Sequence, residues 1–242
     1  MSEYLNIFLI KILNIYIFLY ETFIHQNQII NTIKKHKIKF NKIIDIGSHN
    51  GIYIKKFLKV SKNANIYAFE PQDYFYNKIV NKFPQNNVKL FNLALGNTDT
   101  IKNIKIPLIT STFSLSEINK DSRHNKLKKK FFESALNNNY QKIKIKKLDE
   151  ILPENQDFDI IKIDVEGYEL NVIKGGINTI KNSKLLIVEE QRSKQYENNY
   201  YQIDEILKKN NFKLIKKLNF FLLNFSDNIY INQKPNTNKS PF

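Results

Sequence analysis

Short apolar runs rich in β-branched residues recur along the chain, and stretches of mixed polarity separate them. "KIIDIG" (42–47), "NIYAFE" (65–70), "NVKLFNLAL" (87–95), "FDIIKID" (158–164) and "KLLIVEE" (184–190) each have the length and composition of a strand. Residues 52–60 between the first two have helical spacing, and Pro71 is expected to stop the second strand and open a helix. Strands alternating with helices imply right-handed βαβ units and a mostly parallel sheet. The near-continuous apolarity of "IIDI", "DIIKI" and "LLIV" fits strands covered on both faces. The C-terminal runs 212–218, 220–225 and 228–232 follow one another too closely for intervening helices. They predict an antiparallel hairpin added at the sheet edge. Residues 103–109 and 141–148 are expected to pair as strands around an insertion that begins as a Ser/Thr loop and becomes a basic helix.

The most apolar segment is Tyr4 to Ile24. It is long enough to span a bilayer, which needs about 20 residues. Lys11, Asn6 and Asn14 interrupt it, and the polar positions gather on one half of a helical wheel. The pattern is an amphipathic helix with a wide apolar face, which could pack on the domain, on a second subunit or on a membrane surface. A spanning anchor is the weaker alternative because of the buried lysine. No basic leader or small-residue cleavage site marks a signal peptide. The expected organisation is a helical extension over 1–40, one α/β domain over 41–234 and a polar tail over 235–242.

Composition changes this picture little. The formal net charge of +15 is carried almost wholly by lysine, since Arg123 and Arg192 are the only arginines. Lysine, isoleucine and asparagine are abundant together, as AT-rich coding would impose. Arginine is the residue that reads base edges bidentately, so nucleic acid is a disfavoured partner. The chain has no cysteine and four histidines without ligand spacing, so neither thiolate chemistry nor a metal site is expected. A cytoplasmic protein, with membrane association through the N-terminal helix, fits this composition.

Ligands of open α/β sheets bind beyond the carboxyl ends of the strands. There the first strand delivers "DIGSHNG", comprising Asp45, Gly47, Ser48, His49, Asn50 and Gly51. Gly47 permits a tight turn and Gly51 a close ligand approach to the helix start. The middle glycine of a dinucleotide fingerprint is missing, which disfavours pyrophosphate. Glu70, followed by Pro71, ends the second strand and is placed to accept hydrogen bonds from two ribose hydroxyls. Asp45 lies at the loop base, where it could meet an ammonium group. A bare turn and a solvated strand end are the structural alternatives. Read together, these residues describe a nucleoside with a cationic amino-acid tail and no phosphate, which is S-adenosylmethionine.

At this point the chain resembles the FkbM family of S-adenosylmethionine-dependent methyltransferases. The resemblance covers Lys42 to Lys234 and rests on "IIDIGSHNG", "IYAFEP", "FNLALGN", "KLDEIL", "DIIKIDVEGYELNVIKGG" and "LLIVEEQ", in that order. It implies the class I methyltransferase (Rossmann-like) α/β fold, a mostly parallel seven-stranded sheet with a C-terminal antiparallel hairpin. It also implies methyl transfer, usually to a hydroxyl on a sugar, glycan, lipid or secondary metabolite. Asp45, Gly47 and Gly51 would surround the amino-acid part of the cofactor, and Glu70 would hold the ribose. Asn92, Ala94 and Leu95 would flank the adenine. His49 stands where the family often has asparagine, and Asn50 follows it.

The acids after residue 163 are the candidates for chemistry. Asp164 is placed beside the expected sulfonium and Glu166 beside the acceptor hydroxyl. Glu169 has the position of a helix-start charge. Alternation lets only one of Glu189 and Glu190 face the cleft, and Glu190 is the catalytic candidate. Lys162 is expected to pair with an acid. A small-molecule or glycan acceptor, a homodimer and peripheral membrane contact are the partners to test. The competing readings are a nucleic-acid methyltransferase, an interaction protein that keeps the fold, and a nicotinamide oxidoreductase, which lacks its glycine fingerprint.

Overall fold

The computed structural model describes residues 16, 19–84, 86–105, 140–153, 156–191, 200–220 and 225–234. Ten strands run β1 (Lys42–Ile46), β2 (Asn65–Phe69), β3 (Val88–Phe91), β4 (Ala94–Leu95), β5 (Thr100–Lys105), β6 (Tyr140–Lys146), β7 (Phe158–Ile163), β8 (Ser183–Gln191), β9 (Phe212–Asn219) and β10 (Phe225–Asn232). The helices are α1 (Gln26–Lys35), α2 (Ile52–Val60), α3 (Asp73–Lys82), α4 (Leu148–Ile151), α5 (Glu169–Gly175), α6 (Ile177–Lys181) and α7 (Tyr200–Lys209). A π-helical turn, Glu21–His25, leads into α1.

Seven strands form the main sheet in the order β3-β2-β1-β7-β8-β10-β9. The first five are parallel, and β10 and β9 are antiparallel additions. The hairpin therefore inserts its second strand beside β8 and leaves β9 at the edge. Successive residues of the central strands enter different cores. Ile43, Ile160, Leu185 and Ile187 pack with Ile29, Ile33, Phe57 and Ile79 of α1, α2 and α3. Ile44, Ile161, Leu186 and Val188 pack with Leu170, Ile173, Ile180 and Leu207 of α5, α6 and α7. This double coverage is why the strands read as unbroken apolar runs.

Two expectations change. The run 87–95 is not one strand: it leaves the main sheet after Phe91, and Ala94–Leu95 joins a second sheet ordered β4-β6-β5. The expected pairing around the insertion is present there, with Thr100↔Ile145 through Lys105↔Tyr140 antiparallel, and the basic stretch between the two strands lies outside the described residues. Pro71 precedes the helix rather than opening it, because α3 starts at Asp73 with Gln72 at its cap. Within the extension drawn over 1–40, Ile29, Ile30 and Ile33 of α1 are core residues against the sheet. Most of the apolar run Tyr4 to Ile24 and the whole of the tail 235–242 lie outside the described residues. No helix among the described residues is long and apolar enough to cross a membrane.

Candidate cofactor and acceptor site

The register of the sheet builds the site. Phe69, Ile46, Ile163 and Val188 lie side by side across four parallel strands. One residue further, at the carboxyl edge, stand Glu70, Gly47, Asp164 and Glu189, and Asp227 of β10 is the partner of Glu189. Four carboxylates thus share one row at the carboxyl edge, with Gly47 between Glu70 and Asp164.

Gly47 is dictated by contact as well as by its φ of +83°. A Cβ there would lie 1.8 Å from the backbone oxygen of Asp164. The cofactor loop and the turn after β7 therefore touch through backbone. Gly51 (φ +73°) caps α2, and a Cβ on it would meet the Phe83 ring at 2.6 Å. Ser48 is buried; its hydroxyl donates to the carbonyl of Asp45 at 2.9 Å. His49 also has positive φ, and its ring lies on Phe75 with centroids 3.9 Å apart. Burial lowers the His49 pKa, which keeps the imidazole neutral, while the Asp164 charge opposes this. The carbonyl of Asn50 accepts from Lys82 Nζ at 3.2 Å.

Two buried glutamates clamp two loops. Glu70 accepts from the backbone N–H of His49 (2.8 Å) and of Gln72 (2.9 Å), one bond on each oxygen. A carboxylate has about four acceptor sites, so two remain for hydroxyl donors. Glu169 accepts from the N–H groups of Val165 (3.1 Å) and Gly167 (3.0 Å). It holds the turn where Glu166 (φ +53°) and Gly167 (φ +94°) are both left-handed. Glu169 is therefore more than a helix-start charge; it is buried and shapes the acidic turn. Burial raises both carboxyls to about 7, against the pull of the backbone N–H groups.

Asp45 is 1 % exposed, and neither of its carboxylate oxygens has a hydrogen-bond partner among the described residues. Burial raises it to about 6, countered first by the Lys162 charge. Lys162, equally buried, donates to Asp164 at 2.7 Å and lies 4.3 Å over the Tyr53 ring. Desolvation works against its charge, but Asp164, Asp45 and Asp227 outweigh it and raise its pKa. The expected pairing of Lys162 with an acid is thus present.

Asp164, Glu166 and Glu189 come together with carboxylate oxygens within 4.8 Å of one another. That spacing could also hold a divalent cation, an arrangement that the histidine and cysteine inventory did not bring out. Glu189, rather than Glu190, faces the cleft, which corrects the sequence assignment. Glu190 points the other way, to Lys217, Ser226 and Asn228, because it is one residue out of step with the acid row. Burial, then the charges of Asp164 and Glu166, raise Glu189 well above the usual carboxylate range.

The remaining candidates lie toward the second sheet. The Pro71 carbonyl accepts from Gln141 of β6 at 2.8 Å, and exposed Asn92 donates to Asp73 at 2.8 Å. Ala94 and Leu95 are buried, and the Leu95 side chain belongs to the core with Phe69 and Ile163.

These residues fit S-adenosylmethionine. Asp45 supplies a buried acceptor pair without a hydrogen-bond partner among the described residues, and Glu70 supplies free acceptor sites in a cation-complementary acid row. A cationic ligand would relieve the mutual repulsion that these acids carry. The strand order is that of the class I S-adenosylmethionine-dependent methyltransferase fold. The sequence model of the methyltransferase FkbM domain matches residues 45–214, well over half of the chain, and the protein belongs to that family. No curated protein sequence matches it.

Solved structures of similar fold include magnesium protoporphyrin IX methyltransferase from Synechocystis PCC 6803 with bound S-adenosylmethionine. It is 10% identical, with TM-score 0.49 over 86% of this chain and 79% of that one. A methyltransferase from Aquifex aeolicus is 13% identical, with TM-score 0.44 over 88% and 91% of the two chains. The ribosomal protein L11 methylase from Lactobacillus delbrueckii subsp. bulgaricus is 11% identical, with TM-score 0.47 over 84% and 75%.

Proposed function

We propose that the enzyme methylates a hydroxyl, on a sugar, glycan, lipid or secondary metabolite, with a carboxylate taking the proton. The observation that carries this reading is the trio Asp164, Glu166 and Glu189, from the turn after β7 and from β8, with oxygens within 4.8 Å of one another. When bound, S-adenosylmethionine supplies a methyl group on a sulfonium, already activated for in-line displacement by the acceptor oxygen. The protein's task is to position the oxygen and remove its proton. Glu166 is half-buried at the turn and is the group an acceptor meets first, whereas Glu189 lies beneath it. Glu166 would take the hydroxyl proton as the acceptor oxygen gains the methyl group and the C–S bond breaks to leave the neutral thioether. Asp164, held by Lys162 at 2.7 Å, would offer a negative charge to the cation.

Tritium-labelled methyl donor, offered with a panel of hydroxylated glycans, lipids and small metabolites, tests the reading. The expected product is an ether whose label survives alkaline hydrolysis. Label released as methanol would mean carboxyl methylation and would overturn it. On the acceptor so found, Glu166→Gln should lower kcat by about 10²–10⁴-fold with cofactor affinity little changed. Near-full turnover by that variant would return Glu166 to a turn-forming role.

A further inference from the structure

The turn that enters α1 is anchored on one side and bare on the other. His25, 1 % exposed, bonds Asp227 at 2.6 Å, and Tyr20 meets the Phe220 ring edge-on at 5.0 Å. Asp227 is the strand partner of Glu189, so this turn stands at the carboxyl edge of the sheet beside the acid row. Four apolar side chains on the turn and just before it are exposed, Tyr16 52%, Leu19 46%, Phe23 63% and Ile24 46%, and Glu21 and Thr22 are polar members of the same turn. Tyr16, Leu19 and Phe23 recur at i, i+3 and i+7, and they continue the apolar run that begins at Tyr4. An apolar cluster of this kind marks a contact surface.

The neighbouring helices carry lysine. Lys56 of α2 reaches back to the turn, donating to the Thr22 carbonyl at 2.8 Å and to Asn27 at 3.0 Å. Lys59 lies close enough to Lys56, and Lys55 and Lys78 to Lys82, for their charges to repel. None of these five lysines is in an ion pair among the described residues. A lysine field beside an exposed apolar prong matches an anionic bilayer, where apolar side chains enter the headgroup boundary and lysines meet lipid charge. A second copy of this chain would bring lysine against lysine.

We propose that the exposed apolar side chains of Tyr16, Leu19, Phe23 and Ile24, with the lysines of α2 and α3, form a docking surface for an anionic lipid membrane. Docking there sets the carboxyl edge of the sheet toward the bilayer, where a lipid-borne hydroxyl would reach the acid row. That consequence rests on hydroxyl methylation; the docking does not.

The test is flotation of the full-length protein with vesicles of phosphatidylcholine alone or with about 30 mol % phosphatidylglycerol. The protein should float with the anionic vesicles only. Leu19→Ser with Phe23→Ser, and separately Lys55→Glu with Lys59→Glu, should each weaken partitioning by roughly tenfold or more. Both double variants should keep their melting temperature and their affinity for S-adenosylhomocysteine, which separates loss of docking from loss of the cofactor site. Absence of flotation overturns the proposal, as does partitioning indifferent to lipid charge or to either variant. A dimer in sedimentation equilibrium that dissociates in the Leu19→Ser/Phe23→Ser variant would also overturn it, by assigning the face to a second copy.

Discussion

Glu70 and Glu189 act at the same level of the sheet for different ends. Glu70 already spends one acceptor site on each oxygen in holding the loop through His49 and Gln72. Glu70→Ala removes both the loop clamp and the sites left for ribose hydroxyls. Loss of charge-assisted hydrogen bonds of this kind costs about 1.5–3 kcal/mol, so affinity for S-adenosylhomocysteine should fall by roughly 10–150-fold, as calorimetry would measure. Unchanged affinity would remove Glu70 from the cofactor site. The assignment of Glu190 failed for a reason internal to strands. Both acids end the same run, and a one-residue change of register exchanges which of them faces the cleft. Only the pairing of Glu189 with Asp227, and of Glu190 with Ser226, decides it.

At the scale of elements, β1, α2, β2, β7, β8 and the C-terminal hairpin were legible in the chain because each is covered on both sides or bounded by a turn residue. The break within residues 87–95 was not. Asn92 and Leu93 do not interrupt the apolar pattern, and the transfer of Ala94 and Leu95 to a second sheet depends on β6, some 50 residues later. The loop glycines were legible as turn residues, but the reason for Gly47 was not, since it is a contact with the backbone of Asp164. Gly47→Ala combines a left-handed backbone with a Cβ placed 1.8 Å from that oxygen. It should destabilise the protein by several kcal/mol or abolish cofactor binding by displacing the turn after β7. Thermal melting with and without S-adenosylhomocysteine would measure both effects. A variant that melts and binds like the parent would contradict the described contact.

The molecule as a whole carries its acids under strain. Asp45 is raised to about 6, and Glu70 and Glu169 to about 7, chiefly by burial. In water the same groups ordinarily titrate at 3.8 for aspartate and 4.5 for glutamate. Between about pH 4 and 7 the folded protein therefore holds protons that the unfolded chain has released. Stability must then fall as pH rises through that window and level off above it. Each group contributes at most on the order of 3 kcal/mol. The ligand-free protein should melt higher at pH 5 than at pH 8, and melting temperatures that rise steadily from pH 5 to pH 8 would contradict this. Individual acids could be read from the chain as candidates, but this collective cost could not, because it arises from strands brought side by side.

The same acids make the central claim measurable. S-adenosylmethionine carries a sulfonium charge that S-adenosylhomocysteine lacks, and a row of raised carboxylates should distinguish them. Binding the cation favours the ionised acids and releases protons, so its affinity should rise with pH by up to about tenfold per unit for each proton released. Calorimetric titration of the full-length protein with both ligands at pH 6 and pH 8 is the direct test. Both ligands should bind, and S-adenosylmethionine should gain more from pH 6 to pH 8 than S-adenosylhomocysteine does. No binding of either ligand, or a pH response identical for the two, would contradict it.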